Sequence, residues 1–180
     1  MGDQIITNPR PTKMDEDVLA KVSELLLPEL VQWGGWPQEQ REEDLETLTE
    51  LLKYSYDFDG YKLAKKLEDE LYCDADSELV GILDRVEGLA YQITEKKVKE
   101  WVSANSILPA FKVGDRVKWP HSGRETMTGT VVAIHTDKAT YTIQEDGKAY
   151  PPPPKGAPDW VSGWIVAYEK ASPISTASQE

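Results

Sequence analysis

The chain has 180 residues, 39% of them hydrophobic, and a formal net charge of -12 from 32 carboxylates against 20 Lys and Arg, a length that admits one sizeable core or two small ones. A single cysteine excludes an internal disulfide framework. The opening residues also lack a basic start followed by an apolar run. No stretch approaches the roughly 18 to 20 apolar residues of a membrane span, so a protein of the reducing cytoplasm without membrane contact is expected.

The first residues, 1–13, hold Pro9 and Pro11 with little apolar content and read as a flexible arm. Thr12 followed three residues later by Asp15 resembles a helix cap. Val18, Leu19, Val22, Leu25 and Leu26 then recur at helical spacing until Pro28, where a stop or kink near Leu27 is expected, with Gly34 and Gly35 closing the segment. Pro37 suits a first helical position. On the helix that follows, Leu45, Leu48 and Leu52 share one face with Leu51 beside them. Glu39, Glu43, Glu46 and Glu50 recur at i, i+4, i+7 and i+11 on the opposite face, with Glu42 adjoining.

Asp57-Phe58-Asp59-Gly60 punctuates the chain before a third helix built on Leu63, Ala64, Leu67 and Leu71. Asp74 or Asp76 is positioned to cap a fourth on Leu79, Val80, Leu83 and Val86, weakened at its end by Gly88. A last helix from about Glu95 to Ala104 places Val98, Trp101 and Val102 on one side, and is expected to dock on the bundle through Trp101.

After Pro109 the period changes to alternation. Val113 to Trp119 reads as a turn into a strand, Thr128 to Thr136 as a longer strand, and Ala139 to Gln144 as its hairpin partner. Glu145-Asp146-Gly147 is a turn, Tyr150 and Pro151 to Pro154 form a stiff loop, and Trp160 to Tyr168 returns to strand. The expected class is therefore α+β. An acidic helical domain over 14–106 precedes a small β-barrel over 109–170, and 171–180 is a loose tail.

The run Val-Gly-Asp-Arg-Val-Lys-Trp at 113–119, the run Gly129-Thr130-Val131-Val132-Ala133-Ile134 and the Tyr-Thr-Ile strand resemble SH3-like barrels of the KOW and Tudor type over residues 111–169. That resemblance implies a fold rather than a ligand, since such barrels bind RNA, methylated side chains or proline-rich peptides, or nothing. The helical segments DGYKLAKKLEDE and DADSELVGILD resemble accessory proteins of bacteriophages that lack an assigned activity.

Several candidate sites fail on chemistry. Numbered from Asp57 as a calcium loop, Glu68 falls at position 12 but Tyr61 and Lys62 occupy positions 5 and 6; numbered from Ser55, Gly60 is at 6 but Lys66 is at 12. His121 and His135 form no catalytic or metal-binding spacing with Cys73, Ser122 or Asp137. Cys73 has no basic neighbour and reads as a packing residue. Gly-rich phosphate loops are absent. No catalytic residue, metal or cofactor is expected, and the chain is not read as an enzyme.

Two features remain. Trp119, Tyr141, Tyr150, Trp160 and Trp164 either form an aromatic surface for a cation, stacked bases or prolines, or pack the barrel core. The charge is the stronger clue. Residues 1–108 carry 24 carboxylates against 12 cations, whereas 109–180 carry 8 against 8. Residues 15–59 alone hold 13 acids and 3 basic residues, too few to relieve the repulsion through ion pairs.

Such a field repels nucleic acid and attracts basic protein surfaces. The expected function is a non-enzymatic inhibitor or adaptor, which the resemblance to bacteriophage accessory proteins implies is phage-encoded. Its acidic row Glu39, Glu42, Glu43, Glu46 and Glu50 would mimic a nucleic acid and block a host nucleic-acid-handling or defence complex such as a CRISPR effector. Trp33, Trp36 or barrel aromatics would then supply anchoring contacts. The alternative is a nucleic-acid or peptide reader that acts through the barrel.

Overall fold

The structure is a computed structural model that describes residues 9–34, 41–55, 57–71, 74–121, 126–150 and 163–174. The chain divides into two compact units, Met1–Val98 and Lys99–Glu180. Its elements are α1 (Glu16–Trp33), α2 (Arg41–Lys53), α3 (Gly60–Leu71), α4 (Ser77–Leu83) and α5 (Val86–Asn105), then β1 (Arg116–Trp119), β2 (Met127–His135), β3 (Thr140–Glu145), β4 (Trp164–Ala167) and β5 (Ser172–Pro173). A 3-10 turn, Tyr168–Lys170, joins the last two strands.

The first unit is helical. Val18, Leu19, Val22, Leu26 and Leu30 of α1 are fully buried with Leu48 and Leu52 of α2, Leu63 and Leu67 of α3, and Leu79 and Leu83 of α4. Helix α1 does not end at Pro28 but runs on to Gly34, which closes it at φ 91° with its N–H on the Val31 carbonyl. Pro28 lies on the exposed side with Glu24 and Leu25, so the carbonyl deprived of its N–H partner is on the wet face. Buried Leu26, Leu27 and Leu30 meanwhile hold both halves to the core. The residue before the helix is Asp15 rather than Thr12. Its carboxylate reaches back to the Thr12 N–H at 3.1 Å and hydroxyl at 2.5 Å, which folds the entering chain onto itself.

The Asp-Phe-Asp-Gly segment is a doubly capped helix start. Asp59 Oδ1 accepts from the Lys62 N–H at 3.0 Å, and Asp84 Oδ1, from the end of α4, accepts from the Gly60 N–H at 3.1 Å. A Cβ on residue 60 would lie 2.2 Å from that Asp84 oxygen, so the close approach requires glycine. Phe58 and Leu63, at the staple positions flanking this cap, are both in the core. Asp76, not Asp74, caps α4, accepting from the N–H groups of Glu78 and Leu79.

The break expected between Gly88 and Glu95 falls instead at Asp84 and Arg85, and α5 runs unbroken from Val86 through Gly88 to Asn105. Val86 and Ala90 join the helical core. Trp101 does not: with Ile107 it belongs to the core of the second unit, which corrects the expected docking onto the bundle.

In the second unit five antiparallel strands pair in the order β4-β3-β2-β1-β5. Gly114, at φ +94°, makes the turn into β1; its N–H donates to the Val131 carbonyl at 2.8 Å, and the Val131 N–H donates to the Asp115 carbonyl at 3.0 Å. Strand β2 is inward at Met127, Gly129 and Val131; Val132 then slips out of register, since Val131 faces Ile143 and Ala133 faces Thr142. This bulge bends the strand and brings Ile134 onto the core. Ser172 and Pro173, expected as loose tail, pair with Lys118 and Val117. The ladder is open, with β4 and β5 as its edges among the described residues.

Candidate functional site

On the acidic side of the helical unit, Glu43 and Glu46 of α2 are exposed. Glu50 is half-buried and pairs with Lys53 at 3.2 Å, an ion pair that raises the lysine above its ordinary range. Lys53 also approaches Glu16 of α1 at 4.0 Å. Glu39 and the Glu42 side chain lie outside the described residues, as do Trp36 and Pro37. The opposite face of α2 is core, with Leu48, Leu51 and Leu52 buried and Leu45 packed against them.

The tertiary structure adds carboxylates that the α2 pattern alone does not reveal. A cleft of about 650 Å³ between α2 and α3 is lined by Glu43, Glu46, Glu50 and Glu70, with Leu51, Tyr54 and Lys66. Lys66, on α3, donates from its ammonium to the Leu51 carbonyl at 3.2 Å. Glu43, Glu46 and Glu70 have no ion-pair partner among the described residues. Tyr54 stands 72% exposed on the cleft wall. A second furrow of about 340 Å³, between α1 and α2, is lined by Glu16 and Glu24 and shares Glu46 and Glu50 with the first. Glu16, Ala20 and Glu24 recur at helical spacing in the sequence, but only tertiary packing brings them alongside α2.

The aromatic set of the second unit separates into core and surface. Trp119 and Tyr141 are in the core, so neither can belong to an exposed aromatic surface. The Tyr141 hydroxyl accepts from the Phe111 N–H at 3.1 Å, and burial holds its phenol above the ordinary range despite that bond. Tyr150 and Trp164 are half-buried. Trp160 and Pro151 to Pro154 lie outside the described residues. Trp164 gives its indole Nε1–H to Glu145 Oε2 at 2.9 Å, packs edge-on against His121 at 4.8 Å, and has Lys148 Nζ 5.6 Å from its ring centroid.

Trp33 is half-buried too, and its indole N–H donates to Asp76 at 3.1 Å. With the N–H groups of Leu79 and Glu78, it holds the Asp76 carboxyl below the usual range. His135 Nε2 meets the Thr142 hydroxyl at 2.8 Å. Cys73 and Ser122 lie outside the described residues. Among those residues no group of three or more His, Cys, Asp or Glu side chains is placed to hold a metal ion, and no helix is long and apolar enough to cross a membrane. The chain matches no known family model, no characterised protein and no solved structure.

Proposed function

We propose that this chain is a protein-binding inhibitor or adaptor whose acidic helical unit engages a basic surface on its partner. The observation that carries this reading is the cleft between α2 and α3, where Glu43, Glu46 and Glu70 stand without ion-pair partners among the described residues beside Leu51 and Tyr54. Like charges held this close raise the energy of the free protein, and a cationic partner lowers it while gaining steered association. Carboxylates one helical turn apart are about 5 to 6 Å from one another. That charge density is of the same order as one nucleic-acid strand, with one phosphate per roughly 3.4 Å of axis. A surface that ordinarily grips phosphates, such as that of a nucleic-acid-handling or defence complex, is the partner class this fits.

The second unit we read as an SH3-like module. The 3-10 turn before a final strand that returns to β1, and the bulged β2, support that assignment. Its 9 carboxylates balance its 9 Lys and Arg, which disfavours a phosphate-binding role for this unit.

The test is charge reversal. A Glu43→Lys/Glu46→Lys variant retains the leucine face of α2, so its circular dichroism and melting should be close to those of the native chain. It should bind a labelled arginine-rich helical peptide at least about tenfold more weakly, and native binding should fall steeply with salt as the Debye length shrinks from about 8 Å. Equal affinity in the two proteins, or binding insensitive to salt, sinks this reading.

A further inference from the structure

The cleft between α2 and α3 presents an aromatic ring as well as charge. Tyr54 follows the last residue of α2, and its N–H donates to the Glu50 carbonyl at 3.1 Å, so the chain is still in helical register there. Glu43, Glu46, Glu50 and Tyr54 therefore succeed one another at helical spacing, and all four line the cleft. Glu70 lines it from α3. The Tyr54 side chain stands 72% exposed, beside a buried Leu51. Two cations at this end of α2 are engaged, Lys53 with Glu50 at 3.2 Å and Lys66 with the Leu51 carbonyl at 3.2 Å. Glu43, Glu46 and Glu70 are left without an ion-pair partner among the described residues, within a helical turn or two of an open π face.

That combination distinguishes between the two basic side chains. Lysine carries a compact, strongly hydrated ammonium, which gains chiefly from the carboxylates. Arginine gains from every part of the cleft wall. Its guanidinium fork matches a carboxylate, its weakly hydrated flat face stacks on an aromatic ring, and its methylenes cover apolar surface. We propose that the α2–α3 cleft selects arginine over lysine, and that its occupant is an arginine side chain on a basic helical segment of the partner, stacked on Tyr54 and paired with the cleft carboxylates. This selectivity rests on the engagement of a basic partner by the same cleft. Long-range charge brings the segment in, whereas the ring at the end of α2 decides which cation stays.

The probes are a labelled arginine-rich helical peptide and its counterpart with every arginine replaced by lysine, so that charge and length are equal. Each is titrated into the full chain, Tyr54→Ala and Tyr54→Phe by fluorescence anisotropy, at low and at raised salt. The native chain should bind the arginine peptide about threefold or more tightly than the lysine peptide. Tyr54→Ala should at least halve that preference by weakening the arginine peptide alone, and Tyr54→Phe, which keeps a ring, should retain it. Tyr54 lies outside the helical core, so both variants should keep the native circular dichroism spectrum. A ratio of one in the native chain, a preference undiminished in Tyr54→Ala, or one lost in Tyr54→Phe overturns the proposal. Equal, salt-sensitive binding of the two peptides does so while the acidic surface keeps its role, whereas no binding, or binding insensitive to salt, sinks both.

Discussion

Tyr168 carries a hydroxyl that its neighbourhood does not serve. The residue is 7% exposed, its ring lies 4.3 Å from that of Tyr141, and its oxygen has no hydrogen-bond partner among the described residues. Burial first, then the neighbouring Tyr141 and Asp137, pushes the phenol from 10.0 up to about 12. The ionised form is therefore the one the fold disfavours. Stability is independent of this group below pH 10, where it is neutral in both states, and falls as the pH rises from 10 towards 12, because only the unfolded chain then releases the proton. Tyr168→Phe should leave stability at pH 7 equal or higher by up to about 1 kcal/mol, since an unserved hydroxyl is removed with no partner orphaned. It should also flatten the alkaline limb. Urea titrations at pH 7 and pH 10.5 check both expectations, and a loss of more than about 1 kcal/mol at pH 7 would reveal a partner for the hydroxyl. None of this was legible in the sequence, because a tyrosine at the end of an alternating run is equally suited to core or surface.

At the scale of elements, periodicity located the helices and strands, whereas their ends obeyed tertiary contacts. Pro28 is the instructive case. Its ring removes one hydrogen bond and crowds the preceding turn, a cost of about 3 kcal/mol relative to alanine, and the sequence alone gives no reason to tolerate it. The buried leucines on either side outweigh that cost, because each contributes about 1.5 to 3 kcal/mol and all need one continuous helix to reach the core. Pro28→Ala should accordingly stabilise the chain by about 1 to 3 kcal/mol, read from the midpoint of chemical unfolding. No gain would mean that α1 is already bent at this position. The same competition explains α5, where exposed Gly88 lies within a helix whose Val86 and Ala90 are fixed in one core. It also explains β5, two residues with no strand signature that pair with β1 because the 3-10 turn returns the chain to that edge. In the candidate surface, α2 was readable from its own spacing, but Glu16, Glu24 and Glu70 come from other helices and needed the packing to be seen.

For the whole molecule, charge and architecture divide together. The first unit holds 23 carboxylates and 11 Lys and Arg, and the second 9 of each, so the entire net charge of -12 resides on the helical unit. The change of composition near Pro109 is close to the boundary but not on it. The second unit begins at Lys99, inside α5, and its core includes Trp101 and Ile107, with Val102 packed against it. The end of that helix thus belongs to the sheet, and α5 cannot be assigned to one unit by its helical period. A fragment of residues 99–180 should therefore melt cooperatively on its own, whereas one that begins at residue 107 lacks Trp101 and should lose about 3 to 5 kcal/mol, the cost of deleting a buried tryptophan side chain from a core. A small unit has little more than that in total, so the shorter fragment should lie close to its unfolding midpoint at room temperature. Near-ultraviolet circular dichroism and thermal melts of the two fragments decide the matter. Equal melting temperatures would move the boundary back to the proline and make Trp101 a passenger of the sheet rather than part of its core.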